Sequence, residues 1–164
     1  KHGPLYVGNR VFDIDKLANM VLFFASKTQG PVKSKLLKLL WYADFLCYKR
    51  QGVSMSGTAY VRNYYGPIPS HHETLMAYLL EAEIVEMRPY EGPYEGEYVI
   101  PLVESDKDLF SEEELAVLET VGDKFKDSTA RDLSNCTHAE DGYRETNMKQ
   151  LIAYSYAESL RTVC

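Results

Sequence analysis

The sequence predicts an α+β fold, a mostly helical single domain with a central buried helix and a small antiparallel β-sheet or hairpin. Two observations lead there. The first is the stretch KLLKLLWYADF from Lys35 to Phe45, where Leu36, Leu37, Leu39, Leu40, Trp41, Ala43, Phe45 and Leu46 cover most of a helical girth. A helix of that kind cannot lie on a surface and has to run through the middle of a domain. The second is what surrounds it, capped stretches of helical period alternating with short runs rich in β-branched and aromatic residues. At 164 residues, with 45% hydrophobic and 26% charged side chains, the chain suits one domain with an ordinary core.

Residues 1–12 carry Gly3, Pro4 and Gly8 and no helical period, so they read as a lead-in. Asp13 or Asp15 can cap a first helix, with Leu17, Met20, Val21 and Phe24 on one face, ended by Gly30 and Pro31. The central helix follows from about Ser34 to Arg50 and stops at Gly52, which makes an antiparallel helix pair. Thr58 to Tyr64 reads as a strand, and Gly66-Pro67-Ile68-Pro69 as a stiff turn. Ser70 with Glu73 forms the pattern of a capping box that opens a helix to about Glu81. Ile84 to Met87 and Glu97 to Leu102 are two short strands around a tip from Pro89 to Pro93. Ser111 with Glu114 caps a helix to about Phe125, and the helix dipole accounts for Glu112, Glu113 and Glu114 in its first turn. Thr129 with Asp132 opens a short helix to about Cys136, and Ile152, Tyr156 and Leu160 place a last helix on the core. The helix, strand, helix and hairpin order also describes a winged-helix-like core, a likeness of fold and not of function.

A net charge of −6 argues against nucleic-acid binding by these residues, because phosphate contact needs a basic face. That acidity can complement a basic protein. Cys47, Cys136 and Cys164 cannot all pair and stand in no C-x-x-C spacing, which fits reduced thiols in the cytoplasm. No apolar run approaches the roughly 20 residues of a membrane span. Thirteen tyrosines are many for this length, and Tyr64, Tyr65, Tyr90, Tyr94 and Tyr143 fall where exposure is expected. Exposed tyrosines offer rigid contact area at low entropic cost, although rings packed on a small sheet would explain them as well.

Chemistry is hard to place. His71 and His72 are adjacent and point about 100 degrees apart on a helix, so a zinc site with His138 and Asp141 needs tertiary contact. Cys47 on a buried helix is inert, and no nucleophile elbow, Walker loop or dinucleotide fingerprint is present. No catalytic residue, metal or cofactor is expected. Lys35 and Lys38 fit either the solvated edge of the central helix or a contact with phosphate or an acidic partner. Asp44 has to be paired or hydrogen-bonded, with Arg62 and Arg144 as candidates by charge only.

Three segments in this order, Lys35 to Phe45, Gly66 to Pro69 and Thr137 to Tyr143, resemble the Panacea antitoxin family, the domain of SocA-like antitoxins. Its Lys-x-x-Lys-Leu-Leu-x-Tyr-Ala-Asp pattern matches Lys35, Lys38, Leu39, Leu40, Tyr42, Ala43 and Asp44; its Gly-Pro turn matches Gly66 and Pro67. Its Ser/Thr-His-x-Glu segment matches Thr137, His138, Ala139 and Glu140, followed by Tyr143, where many relatives have Trp, and Arg144. The resemblance implies a bacterial or phage antitoxin that neutralises a cognate protein toxin by binding it, or by handing it to a protease. It also implies that a helix-turn-helix module binding operator DNA often precedes the domain, which here would lie before Lys1. A metal-dependent hydrolase and a DNA-binding winged helix are the rival readings; the helix from Ser70 to Glu81 has no Lys or Arg to serve as a recognition helix. The expected partner surface comprises Lys38, Asp44, Tyr64, Tyr65, Gly66, Pro67, His138, Tyr143 and Arg144.

Overall fold

The computed structural model describes residues 2–91 and 96–163. The central helix is present as α3, Lys33–Gln51, preceded by α1, Pro4–Val7, and α2, Ile14–Lys27. Leu36 to Cys47 are all buried on α3, and Gly52 closes it in the left-handed conformation at φ 78°. A side chain buried on every face needs neighbours on every face. They come from α2, from α5 (Glu112–Phe125), from α6 (Ala130–His138), from strand β2 (Gly66–Pro69) and from a 3-10 helix, Tyr154–Ser159.

Aromatic rings fill the space between these layers. Phe45 stacks on Tyr154 with centroids 4.2 Å apart, Tyr42 on Phe125 at 5.0 Å, and Trp41 lies 4.8 Å from Phe45. Asp13 caps α2 by accepting from the Lys16 amide, and both expected capping boxes form, Ser111 with Glu114 and Thr129 with Asp132. The strands make two separate two-stranded antiparallel sheets, β1 (Tyr60–Asn63) with β2, and β3 (Val85–Pro89) with β4 (Glu97–Pro101). Helix α4, His72–Glu81, connects them, and α7, Asp141–Glu145, follows α6.

Several expectations need correction. Gly66 to Pro69 is a strand in register with β1, Tyr60 opposite Pro69 and Asn63 opposite Gly66, while Tyr64 and Tyr65 make the turn. Prolines are tolerated there because β2 is an edge strand. Ser70 does not cap α4. Its amide donates to the Ala59 carbonyl at 2.8 Å, which keeps it on the sheet, and His71 takes the cap position without a side-chain bond. The last helix is 3-10, not α: Tyr154, Ala157 and Leu160 are buried at intervals of three, the repeat of a 3-10 turn. The lead-in contains the short helix α1. Gly92, Pro93, Tyr94 and Cys164 lie outside the described residues.

Glu114 does more than sit near a helix dipole. Its buried carboxylate receives Lys16 Nζ at 2.5 Å and lies 3.6 Å from Arg10, tying α5 to α2 and to the lead-in. Leu40 is fully buried, so Leu40→Ala should cost on the order of 2–5 kcal/mol. Urea melts of the variant and the parent measure this; an unchanged midpoint would show that α3 does not organise the core.

Candidate functional site

Four polar side chains of α3, Asp44, Tyr42, Lys35 and Lys38, each support one outer segment. Asp44 is fully buried and satisfied by hydrogen bonds, and neither Arg62 nor Arg144, the candidates by charge, reaches it. Oδ1 accepts from the amides of Met55 and Ser56 at 2.8 Å; Oδ2 accepts from Ser56 Oγ at 2.7 Å and Tyr60 Oη at 2.6 Å. Neutral donors replace the cation, and the segment into β1 is wrapped around the carboxylate. Burial pushes the Asp44 pKa up, while the bonds from Tyr60, Ser56 and Met55 oppose that shift.

Tyr42 donates to Glu140 Oε2 at 3.0 Å. Glu140, 1% exposed, also accepts from the Arg161 and Thr162 amides and from Thr162 Oγ1. This carboxylate pins the C-terminal segment to α3.

Lys35 and Lys38 are buried, which overturns the expected solvated edge. Lys35 Nζ donates to the carbonyls of Lys126 and Ser128 at the end of α5. Lys38, 2% exposed, donates only to the Ser34 carbonyl at 3.2 Å, and desolvation lowers its pKa to about 8. Its methylenes support the β1–β2 turn. A Cβ on Gly66 would come within 2.5 Å of Lys38 Cε and 3.0 Å of Thr137 Oγ1, and Gly66 has φ 146°, so only glycine fits.

The turn is held from its other side by α6 and α7. Tyr143 is buried, not exposed as expected, and its Oη donates to the Asn63 carbonyl at 2.5 Å and approaches the Tyr64 carbonyl at 3.1 Å. His138 stacks on the Tyr143 ring with centroids 4.5 Å apart, Arg62 lies 4.4 Å from the same ring, and Ser134 Oγ donates to the Tyr65 carbonyl. Burial and the nearby Lys38 charge lower the His138 pKa. Tyr64 and Tyr65, with backbones fixed this way, are 65% and 76% exposed.

The structure thus brings Lys38, Tyr64, Tyr65, Gly66, Pro67, His138 and Tyr143 into one neighbourhood, with Arg144 on the adjoining α7. Asp44 serves the other end of β1. Of these residues only Tyr64, Tyr65, His138 and Arg144 are exposed. The sequence reading missed Arg62, Ser134 and Lys149, which also hold the turn; the helical register of α6 puts Ser134 one turn before His138, a signal that was available.

A second concave feature is an apolar groove of about 870 Å³ between the lead-in and α4, lined by Val11, Phe12, Leu75 and Tyr78 among others. His71 lines it, whereas His138 stands against Tyr143. Among the described residues no group of three or more His, Cys, Asp or Glu is placed to hold a metal. Cys47 is buried, and its thiol is pushed up to about 12. No described helix is long and apolar enough to cross a membrane.

A family model for the SocA-like antitoxin Panacea domain matches residues 36–144, and the chain belongs to that family. No curated protein matches the chain, and no solved structure does.

The fold binds fewer protons at Lys38 than the unfolded chain between about pH 8 and 10.5, so Lys38 makes stability rise with pH across that window. Below pH 8 both states are protonated and the burial cost is full. Lys38→Met should therefore be at least as stable as the parent at pH 7, its advantage shrinking by on the order of 2–4 kcal/mol towards pH 10.5. Urea melts of both proteins along that pH series check the sign. Tyr143→Phe leaves the Asn63 and Tyr64 carbonyls without their donor and should cost about 1–3 kcal/mol by the same melts.

Proposed function

We propose that this domain is an antitoxin that neutralises a cognate protein toxin by direct contact, without catalysing a reaction. The contact face is the β1–β2 turn and its neighbours, with Tyr64, Tyr65, His138 and Arg144 touching the partner. Lys38, Gly66, Pro67 and Tyr143 act beneath it as a frame, and Asp44 fixes the far end of β1.

The observation that carries this reading is the contrast between exposure and tethering at the turn. Tyr64 and Tyr65 present most of their surface to solvent, yet the carbonyls of Asn63, Tyr64 and Tyr65 are bonded to α6 and α7. Two prolines follow, so little backbone entropy remains to be lost on binding. Large rings on a stiff support are the anchors that dominate protein interfaces. Handing the toxin to a protease would begin with the same contact, and toxin levels in protease-deficient cells separate the two outcomes.

The test is co-expression with the product of the neighbouring reading frame. Tyr65→Ala should weaken toxin binding by about thirtyfold and abolish neutralisation without moving the melting temperature, as expected for an anchor. His138→Ala should weaken neutralisation with a small loss of stability, since its ring covers Tyr143. Full neutralisation by both variants would place the surface elsewhere.

A further inference from the structure

The chain is acidic overall, but the surface around the β1–β2 turn is basic. Lys149 Nζ donates to Asn63 Oδ1 at 2.9 Å and lies 5.2 Å from the Tyr64 ring. Arg62 Nη1 donates to the Thr146 carbonyl at 2.9 Å, bringing a second cation beside Tyr143 and His138. Arg144 and Arg161 share a single carboxylate, Asp141, at 3.0 and 2.9 Å, and their side chains are 55% and 59% exposed. Two guanidiniums on one carboxylate leave a positive charge uncompensated.

Nearby acids do not reverse this balance. Glu140 is buried and turned to Tyr42 and Thr162, and Asp132 is used in its capping box. Glu145, at the end of α7, is the exposed carboxylate of that helix besides the shared Asp141. Beneath the turn, Lys38 has a backbone carbonyl and no carboxylate within ion-pair distance among the described residues.

We infer that the turn and α7 receive an acidic segment of a protein partner. Its carboxylates meet Lys149, Arg144 and Arg161, and its apolar side chains lie on Tyr64 and Tyr65. The toxin as the owner of that segment rests on the function proposed above; the chemistry of the face does not. A local patch opposite in sign to the net charge helps select both partner and orientation, because an acidic segment is attracted to it while the net charge of the domain repels that segment. A nucleic-acid strand fits less well. Its phosphates extend past the patch onto a domain of net charge −6, within reach of unscreened repulsion.

The test needs no toxin. Hexaglutamate, hexalysine and hexathymidylate are each titrated into isotope-labelled protein at low salt, with amide shifts followed by NMR. Hexaglutamate should shift the amides of Tyr64, Tyr65, Arg144 and Lys149, and its affinity should fall about tenfold in the Arg144→Glu, Lys149→Glu double variant while the rest of the spectrum stays in place. Lys107→Glu with Lys124→Glu, an equal charge change away from the turn, should leave the affinity within about twofold. Stronger shifts at the turn from hexalysine, tighter binding of hexathymidylate, equal losses in both double variants, or hexaglutamate shifts elsewhere or nowhere would each overturn the inference. Should the double variant instead disturb the whole spectrum, Arg144→Gln with Lys149→Gln is titrated, and it should lose affinity in the same direction. Failure of the parent protein to neutralise its toxin would sink the antitoxin reading and leave these titrations unaffected.

Discussion

A helix buried around its whole girth has no water for its polar side chains, and that constraint shapes the rest of the molecule. Removing a carboxylate from water costs several kcal/mol even after relaxation, so α3 can keep Asp44 only if other groups solvate it. Four neutral donors from residues 55–60 do so, and in doing so they fold that segment against the helix. Tyr42, two residues earlier, acts by the same logic. It reaches Glu140, whose carboxylate then collects the C-terminal amides of Arg161 and Thr162. Lys38 is the exception, a buried ammonium with one long bond to a carbonyl and, among the described residues, no counter-charge. It weakens the fold at neutral pH while its aliphatic stem supports the Gly66 turn.

The outcome is a domain in which rigidity and exposure are separated by a few ångströms. Gly66, Pro67 and Tyr143 are buried and fixed, and the two tyrosines immediately before Gly66 are among the more exposed rings of the molecule. A surface organised this way binds by shape and charge with little ordering cost. Under the function proposed above, affinity then depends on what the rings and the surrounding cations meet. The groove beside α4 is the other apolar concavity, and Val11 and Phe12 on its rim are exposed.

The central helix was legible because apolar side chains on every face admit one placement. The capping boxes at Ser111 and Thr129 were legible because both partners are local in sequence. Ser70 shows the limit of that signal: the same pattern was present, but the Ala59 carbonyl competed for its amide, a tertiary contact that no local rule contains. Asp44 was correctly marked as needing a partner. Its hydrogen-bonding residues cannot be named from charge, because buried carboxylates are satisfied as well by amides and hydroxyls. Tyr143 and Lys38 looked like surface groups by residue type; only the packing of α6 and α7 on β1–β2 shows them underneath. The Thr137 to Tyr143 segment was legible as a motif, but whether it touched a partner or held the turn depended on distances absent from the sequence.

Hydrogen–deuterium exchange of this domain, free and with its toxin bound, tests the central claim most directly. The account predicts that protection on binding concentrates at 63–66 and 138–149, with α3 already protected in both states. Protection concentrated instead at residues 2–12 and 69–78, along the apolar groove, with 63–66 unchanged, would contradict it.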